Sequence, residues 1–498
     1  MNLPHTPTRT DKFGGGCCSN QNRVLSFLAV GGLLFAIIIQ SPAHAQTLTW
    51  TNSAPSPTTG PEPQSIAVGD FDGDGISDIA AGTTGTPATS GIGYISILLG
   101  KGDGTFKTAN NFTALGTNQA IAASLFVNGG HEDIITVSNA ISNVNNAALM
   151  FGDGKGGAVS VNPFSLPFGS VTTVATGDLN GDGKQDFVVS GQLGVSVFFG
   201  NGNGTFNAPT LIPTSNPASF VSLGDFTGHG RLDLAVATSG NNTVSVLFND
   251  GSGNFSLGAS LTVGNDPLGI AVGDFNGDGI QDLAVVNHND NTVSILLGKG
   301  SGSFKPPTTV AVGNGPSRVV VGDFNKDGKA DLAVTNTTDN TVTVSLGNGD
   351  GTFGAPTAVA VGHAPTGLSI GNFDGHGNVD LAVANSGDNT VSVLLSQLGA
   401  ASPSITTQPV SQTVIGGVSC TFTAAASGVP PPALQWQKDN VNISGATSSS
   451  YTIASVAAGD AGSYTVVATN SAGSATSNPA VLTIVFAPSN AIISITVQ

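Results

Sequence analysis

Positive charge is scarce in this chain: 14 lysines and arginines stand against 31 aspartates and glutamates, a formal net charge of −17 over 498 residues. Phosphate backbones are held by clustered Lys and Arg, so no nucleic-acid partner is expected. Charged residues of either sign make up only 9% of the chain, against about 25% in an average soluble protein. Cysteine is nearly absent. Cys17, Cys18 and Cys420 are the only ones, and Cys420 stands far from the other two, so no disulfide framework is expected. No stretch keeps a helical period. The 69 glycines, with abundant Asn, Thr and Ser, suit short strands and tight turns rather than helices.

The N-terminus has one long apolar run. Arg9, Lys12 and Arg23 precede Val24–Ile39, and Ala43-His44-Ala45 follows as a small-x-small pattern. This predicts an export signal over residues 1–45, with Gln46 as the first mature residue. The 16-residue run is short for the roughly 20 residues of a membrane span, so no span is expected in the mature chain. An uncleaved anchor is the alternative. Cys17 and Cys18 lie before the run and would leave with the signal.

What the chain has is a repeat. Gly69-Asp70-Phe71-Asp72-Gly73-Asp74-Gly75-Ile76-Ser77-Asp78-Ile79 recurs with variation. The equivalents of Asp70 are Leu125, Asp178, Asp225, Asp274, Asp323 and Asn372, at spacings of 55, 53, 47, 49, 49 and 49 residues. Strand-built repeats of roughly 40–50 residues mark β-propellers, with about four strands per blade. The unit Pro267–Phe304 shows the pattern. Gly269–Val272, Leu283–Val286 and Thr292–Leu297 read as strands, and Phe304 begins a fourth, with Gly, Asn and Asp at the turns. An all-β, seven-bladed propeller is predicted over residues 46–398.

The repeat also predicts how the ring closes. Six units end in a tight turn, at Gly100, Gly152, Gly200, Asn249, Gly298 and Gly347, but the seventh ends at Leu394-Leu395-Ser396 without one. Thr47-Leu48-Thr49-Trp50 is left to supply the missing fourth strand of the last blade, removing an open sheet edge.

Four of the repeated loops carry Asp-x-(Asp/Asn)-x-Asp-Gly-x-x-Asp. Alternate side chains of such a loop can converge on one cation, and calcium takes six to eight oxygens at about 2.3–2.6 Å. The candidate ligands are Asp70, Asp72, Asp74 and Asp78 in the first loop and Asp178, Asn180, Asp182 and Asp186 in the third. The fifth offers Asp274, Asn276, Asp278 and Asp282, and the sixth Asp323, Asn325, Asp327 and Asp331. Backbone carbonyls are expected from Ile76, Lys184, Ile280 and Lys329. A polar turn without metal is the bland alternative for any one loop. Four in register favour Ca2+, because packed carboxylates repel without a cation.

The other three loops have decayed. The second has Leu125, Val127 and Gly129 at ligand positions, and only Asp133 survives. The fourth has Asp225, Thr227, His229 and Asp233; the seventh has Asn372, Asp374, His376 and Asp380. The second is expected to be empty. The Asp225 and Asn372 loops are expected to bind weakly or to be held by hydrogen bonds and packing.

The loops and their spacing resemble the FG-GAP, or VCBS, repeats of the integrin α-subunit propeller. Thr352-Phe353-Gly354-Ala355-Pro356 is close to that family's namesake motif. The resemblance covers residues 47–398 and implies seven blades with calcium loops on one face. It does not imply integrin activity. Lys101-Gly102-Asp103 falls in a repeat turn and is not read as a ligand motif.

Composition shifts at 399–403, an expected linker. Residues 404–486 resemble a bacterial immunoglobulin-like domain, followed by a tail, 487–498. In that resemblance Cys420 takes the first-cysteine position, Trp436 is the core tryptophan, and Asp460-Ala461-Gly462-Ser463-Tyr464 carries the tyrosine corner. Val466 stands where the second cysteine would be, so Trp436 is expected to pack on Cys420 and Val466 with no disulfide. Free Cys420 reads as a small buried hydrophobe.

Catalytic patterns are weak. Gly367-Leu368-Ser369-Ile370-Gly371 matches G-x-S-x-G but aligns with the strand Gly269–Gly273, without a strand-to-helix context. His131, Glu132 and Asp133, in the irregular region 107–170, read as part of the decayed second loop. The expected function is therefore non-enzymatic: a secreted or cell-surface calcium-binding protein in adhesion or in binding an extracellular glycan or protein, expected as a monomer. The alternatives are a polysaccharide-degrading lyase or glycosidase on a calcium propeller, or a purely structural surface protein.

Overall fold

The computed structural model describes residues 48–486, apart from 86–92, 115, 140–145 and 168–169. The expected export signal, Cys17, Cys18 and the tail 487–498 lie outside the described residues. No α-helix occurs among the described residues, and none there is long and apolar enough to cross a membrane.

Seven four-stranded antiparallel sheets form the blades. The first strands are Pro63–Gly69, Thr117–Ser124, Val171–Gly177, Ala218–Gly224, Pro267–Gly273, Pro316–Gly322 and Pro365–Gly371. Each touches the first strand of the next blade, and the last touches the first, so these strands surround a common axis in a closed ring. The second strand of each blade, such as Asp282–Asn287 or Asp331–Asn336, is buried along its length. That burial explains its near-continuous apolar run: both of its faces meet a neighbouring blade. The outer strands, such as Thr308–Ala311, are mostly exposed.

The seventh blade is completed from the other end of the chain. Leu48–Asn52 pairs antiparallel with Thr390–Leu398, from Leu48 opposite Leu398 to Asn52 opposite Leu394. The ring therefore closes by hydrogen bonds between segments more than three hundred residues apart.

Phenylalanines lock blade to blade. Phe106 of the first blade meets Phe373 of the seventh at 5.8 Å between ring centroids. Phe304 meets Phe226 at 5.9 Å and Phe353 meets Phe275 at 5.7 Å. In each pair the first-named ring leads into the fourth strand of one blade, and its partner lies in the loop after the first strand of the neighbouring blade. This is the packing reason for the Phe that follows five of the six Gly-rich turns, the second blade having Ala158 there. The turn also hydrogen-bonds to that loop: Gly302 N–H donates to the Phe226 carbonyl and Gly351 N–H to the Phe275 carbonyl.

The C-terminal sheets form an immunoglobulin-like sandwich. Ala433–Lys438 and Gly462–Asn470 pair in one sheet, and Cys420–Thr423 pairs with Ser450–Ile453 in another. Cys420, Trp436, Tyr464 and Val466 are buried in one cluster, and Cys420 is a free thiol. The Tyr464 hydroxyl donates to the Asp460 carbonyl at 2.8 Å, making the tyrosine corner. The expected linker is shorter than 399–403. Ala401–Thr407 is already a strand, because Ala401, Ser404, Ile405 and Thr407 have partners on Ala425–Val429 to satisfy their backbone.

Candidate metal centre and axial cavity

Each acidic loop joins the first strand of a blade to the second, so all of them lie on the same rim of the ring. In the first loop Asp70 organises the turn. Its Oδ1 accepts from Gly73 and Asp74 N–H, and its Oδ2 accepts from Gly75 N–H. Gly73 and Gly75 take φ of 76° and 83°, which is why glycine stands there. Asp178 and Asp274 make the same three bonds in the third and fifth loops. Asp323 makes two of them, to Asp327 and Gly328 N–H.

The carboxylate oxygens of Asp70, Asp72 and Asp78 lie within 4.8 Å of one another. Asp72 Oδ1 is buried without a hydrogen-bond partner. An orphaned buried oxygen beside two other carboxylates is part of the all-oxygen donor set a hard cation takes, so these residues would fit a Ca2+ site. Asp74 is exposed and outside that cluster; its Oδ1 accepts from Ile76 N–H. Asn180, Asn276 and Asn325 each accept an N–H from the aspartate two residues on. Those aspartates, Asp182, Asp278 and Asp327, accept in turn from Lys184, Ile280 and Lys329 N–H. The lysines also bring charge to the loops. Lys107 Nζ lies 3.1 Å from Asp72, Lys184 Nζ 3.1 Å from Asp182 and Lys329 Nζ 3.4 Å from Asp327.

The ninth-position aspartate has a second role that the motif did not reveal. Asp78 Oδ2 accepts from Phe71 N–H and Oδ1 from Gly100 N–H. Asp186, Asp282 and Asp331 tie loop to turn in the same way. So do Asp233, and Asp133 in the second blade, where every other ligand position is lost; Asp380 accepts from Phe373 N–H and, since the seventh blade has no such turn, from Ser396 N–H within the strand Thr390–Leu398. Asp133 itself was the available signal: it stands at the ninth position of a loop that offers no other candidate ligand, and its bonds are structural. Burial pushes Asp78 and Asp331 up to about 6, with the neighbouring loop carboxylates adding to the rise.

The decayed loops differ. In the fourth, the Thr227 hydroxyl sits 3.2 Å from Asp233 Oδ2. In the seventh, His376 Nδ1 lies 2.8 Å from Asp374. In the second, Asn128 N–H bonds to Gly202 of the third blade, and Glu132 leaves the loop to accept from Asp70 N–H at 3.1 Å. Glu132 thus buttresses the first acidic loop.

The opposite ends of the first strands surround an open cavity of about 400 Å³ on the ring axis. Its lining is repetitive. In every blade the pairing of first and second strands shifts register next to the same position, and such bulges re-aim a side chain. The residues so placed line the cavity: Thr172, Ser219, Ser317 and Thr366, with Gln64, Gln119 and Leu268. Three of the hydroxyls bind the next blade: Thr172 donates to Ala218 O at 2.8 Å, Ser219 to Pro267 O at 2.6 Å and Thr366 to Pro63 O at 2.9 Å. Among the described residues, Arg318 is the single ionisable one in the lining.

Fold and loops together define a closed β-propeller with acidic loops on one rim, joined to an immunoglobulin-like domain. Family models agree. The FG-GAP-like repeat matches residues 178–236, 225–285, 274–334 and 323–383; the FG-GAP repeat matches 63–98; and the immunoglobulin domain matches 402–470. The chain is an FG-GAP repeat protein with a C-terminal immunoglobulin-like domain. Among curated proteins it is 41% identical over 87 residues to endoglucanase C of Cellulomonas fimi, covering 17% of this chain and 8% of that one. It is 39% identical over 82 residues to sidekick-2 of Mus musculus, covering 14% and 4%. The chain thus spans less than a tenth of these relatives. A solved structure of an Agrocybe aegerita lectin recognising non-reducing terminal N-acetylglucosamine aligns at 19% identity and a TM-score of 0.41, over 68% of this chain and 85% of that one.

Proposed function

We propose that the protein is a secreted or cell-surface calcium-binding module that holds an extracellular glycan or protein and so mediates adhesion. The observation that carries this reading is the first acidic loop, with three converging carboxylates and an orphaned buried oxygen, repeated in sequence in the third, fifth and sixth blades. Asp70, Asp72 and Asp78, with their counterparts, would hold Ca2+. The ion would neutralise mutual repulsion and stiffen one rim, while the other rim and the axial cavity remain for a ligand. Export is supported by the leader pattern of residues 1–45.

The test is a screen of the purified protein against glycans, polysaccharides and matrix proteins, with calcium and with chelator. Calcium-dependent capture without turnover is the expected result. Release of product from a polysaccharide would replace this reading with an enzyme, and silence across the screen would leave a structural protein.

A further inference from the structure

Arg318 departs from the pattern of its ring. It belongs to the sixth blade, yet its guanidinium reaches the fifth, where Nη1 donates to Leu268 O at 3.1 Å, as well as to Ser317 O at 3.0 Å. The guanidinium carbon stands 5.3 Å from the centroid of the Phe220 ring in the fourth blade. Its Nε and Nη2 have no acceptor among the described residues, and no carboxylate there lies within ion-pairing distance of it. In a chain of net charge −17, the axial cavity is thus walled, among the described residues, by one cation and no anion.

The other lining groups complement that cation. Thr172, Ser219 and Thr366 spend their hydroxyl protons on carbonyls of the next blade, so towards the cavity their oxygens act as acceptors. Gln64 and Gln119 add amides. A ligand matching this wall carries one anionic group for the free guanidinium donors and several hydroxyl donors for the acceptors. Carboxylate suits the planar guanidinium, which can bind it through two parallel hydrogen bonds. At about 400 Å³, the cavity falls within the roughly 300–1,000 Å³ of small-ligand pockets.

We propose that the axial cavity binds a uronate, the carboxylate-bearing unit of an acidic glycan, with Arg318 gripping its carboxylate and the ring of Thr, Ser and Gln side chains holding its hydroxyls. This deepens the ligand-binding reading and rests on it. The guanidinium stays cationic at neutral pH, although burial pulls it down to about 10.

The experiment is calorimetric titration of the purified protein, in calcium, with galacturonate oligomers and with the neutral galactose oligomers of equal length. The uronate should bind at least tenfold more tightly, and added salt should weaken it. Arg318→Gln should lose at least tenfold in uronate affinity while keeping the melting temperature within a few degrees. Gln64→Glu, which leaves the Arg318 contacts in place, should lose affinity as well by adding a competing carboxylate. Equal binding of neutral and acidic oligomers, or unchanged affinity in both variants, would overturn the assignment. A neutral glycan held equally by wild type and Arg318→Gln would overturn it while leaving the ligand-binding function standing. Absence of binding to any glycan or protein would remove both.

Discussion

Trp50 stands edge-on to Phe324, with 5.6 Å between the ring centroids. The relation is the one Phe304 has to Phe226 and Phe353 has to Phe275: an aromatic on the outer strand of one blade covers the loop aromatic of the preceding blade. In the seventh blade that outer strand comes from the start of the described chain, and Trp50 takes the phenylalanine's place. Trp50→Ala should cost about 3 kcal/mol, near the range for emptied aromatic sites. Deleting residues 46–60 should also expose the edge of Thr390–Leu398 and cause aggregation. Denaturant melts and light scattering read both. An unchanged melt for either variant would mean the ring does not depend on this strand.

Asp133 separates structure from metal binding. Its oxygens accept Phe126 and Gly152 N–H in a blade whose loop has lost its other ligands. Asp133→Asn should therefore cost about 1–3 kcal/mol by leaving a buried N–H without an acceptor. The loss should be the same in calcium and in chelator. A loss seen only in calcium would show that the second loop binds metal after all.

Calcium itself should raise the melting temperature. Extracellular calcium modules bind at about 10⁻⁴–10⁻³ M, and each site at a hundredfold excess over Kd adds about 2.7 kcal/mol. Differential scanning calorimetry across a millimolar calcium series should show the rise. Asp72→Asn should remove part of it, because the orphaned oxygen loses its charge. A melt insensitive to calcium would remove the metal from the account.

In chelator the fold should be more stable in mild acid than at neutrality. Asp78 and Asp331 are pushed up to about 6 from the ordinary 3.8, so between those values the folded state binds more protons than the unfolded one. Their stabilisation is complete below the unfolded value and is lost as pH rises through about 6. Calcium should flatten this slope by compensating the ionised carboxylates. Thermal melts at about pH 5 and pH 7 check the sign, and greater stability at neutrality without calcium would contradict it.

Much of this architecture was legible in the chain because it is local and repeated. The period near 49, the Gly-Asp-rich turns and the Val-rich runs specify strands and loops through hydrogen bonds and propensities acting over a few residues. Even the closure was legible, since the last unit lacked a fourth strand and Leu48–Trp50 was left to supply it. The first residues of the immunoglobulin-like domain were less so, because Ala401–Pro403 reads as a linker until Ala425–Val429 lies beside it.

What the sequence determined by itself, then, is the repeated unit and the chemistry each unit carries: strands from β-branched runs, candidate cation loops from alternating carboxylates, and the tyrosine corner from Asp460 and Tyr464. Only the tertiary structure decided what the units make together. The axial wall takes one bulged residue from each blade, and nothing local marks Thr172, Ser219 or Arg318 as neighbours of a common cavity. The same is true of Asp133 and its counterparts, whose second bond goes to a turn that the next strand must first bring back. Such contacts arise from the circular arrangement, which assembles groups that are distant along the chain, and no short-range pattern records that assembly.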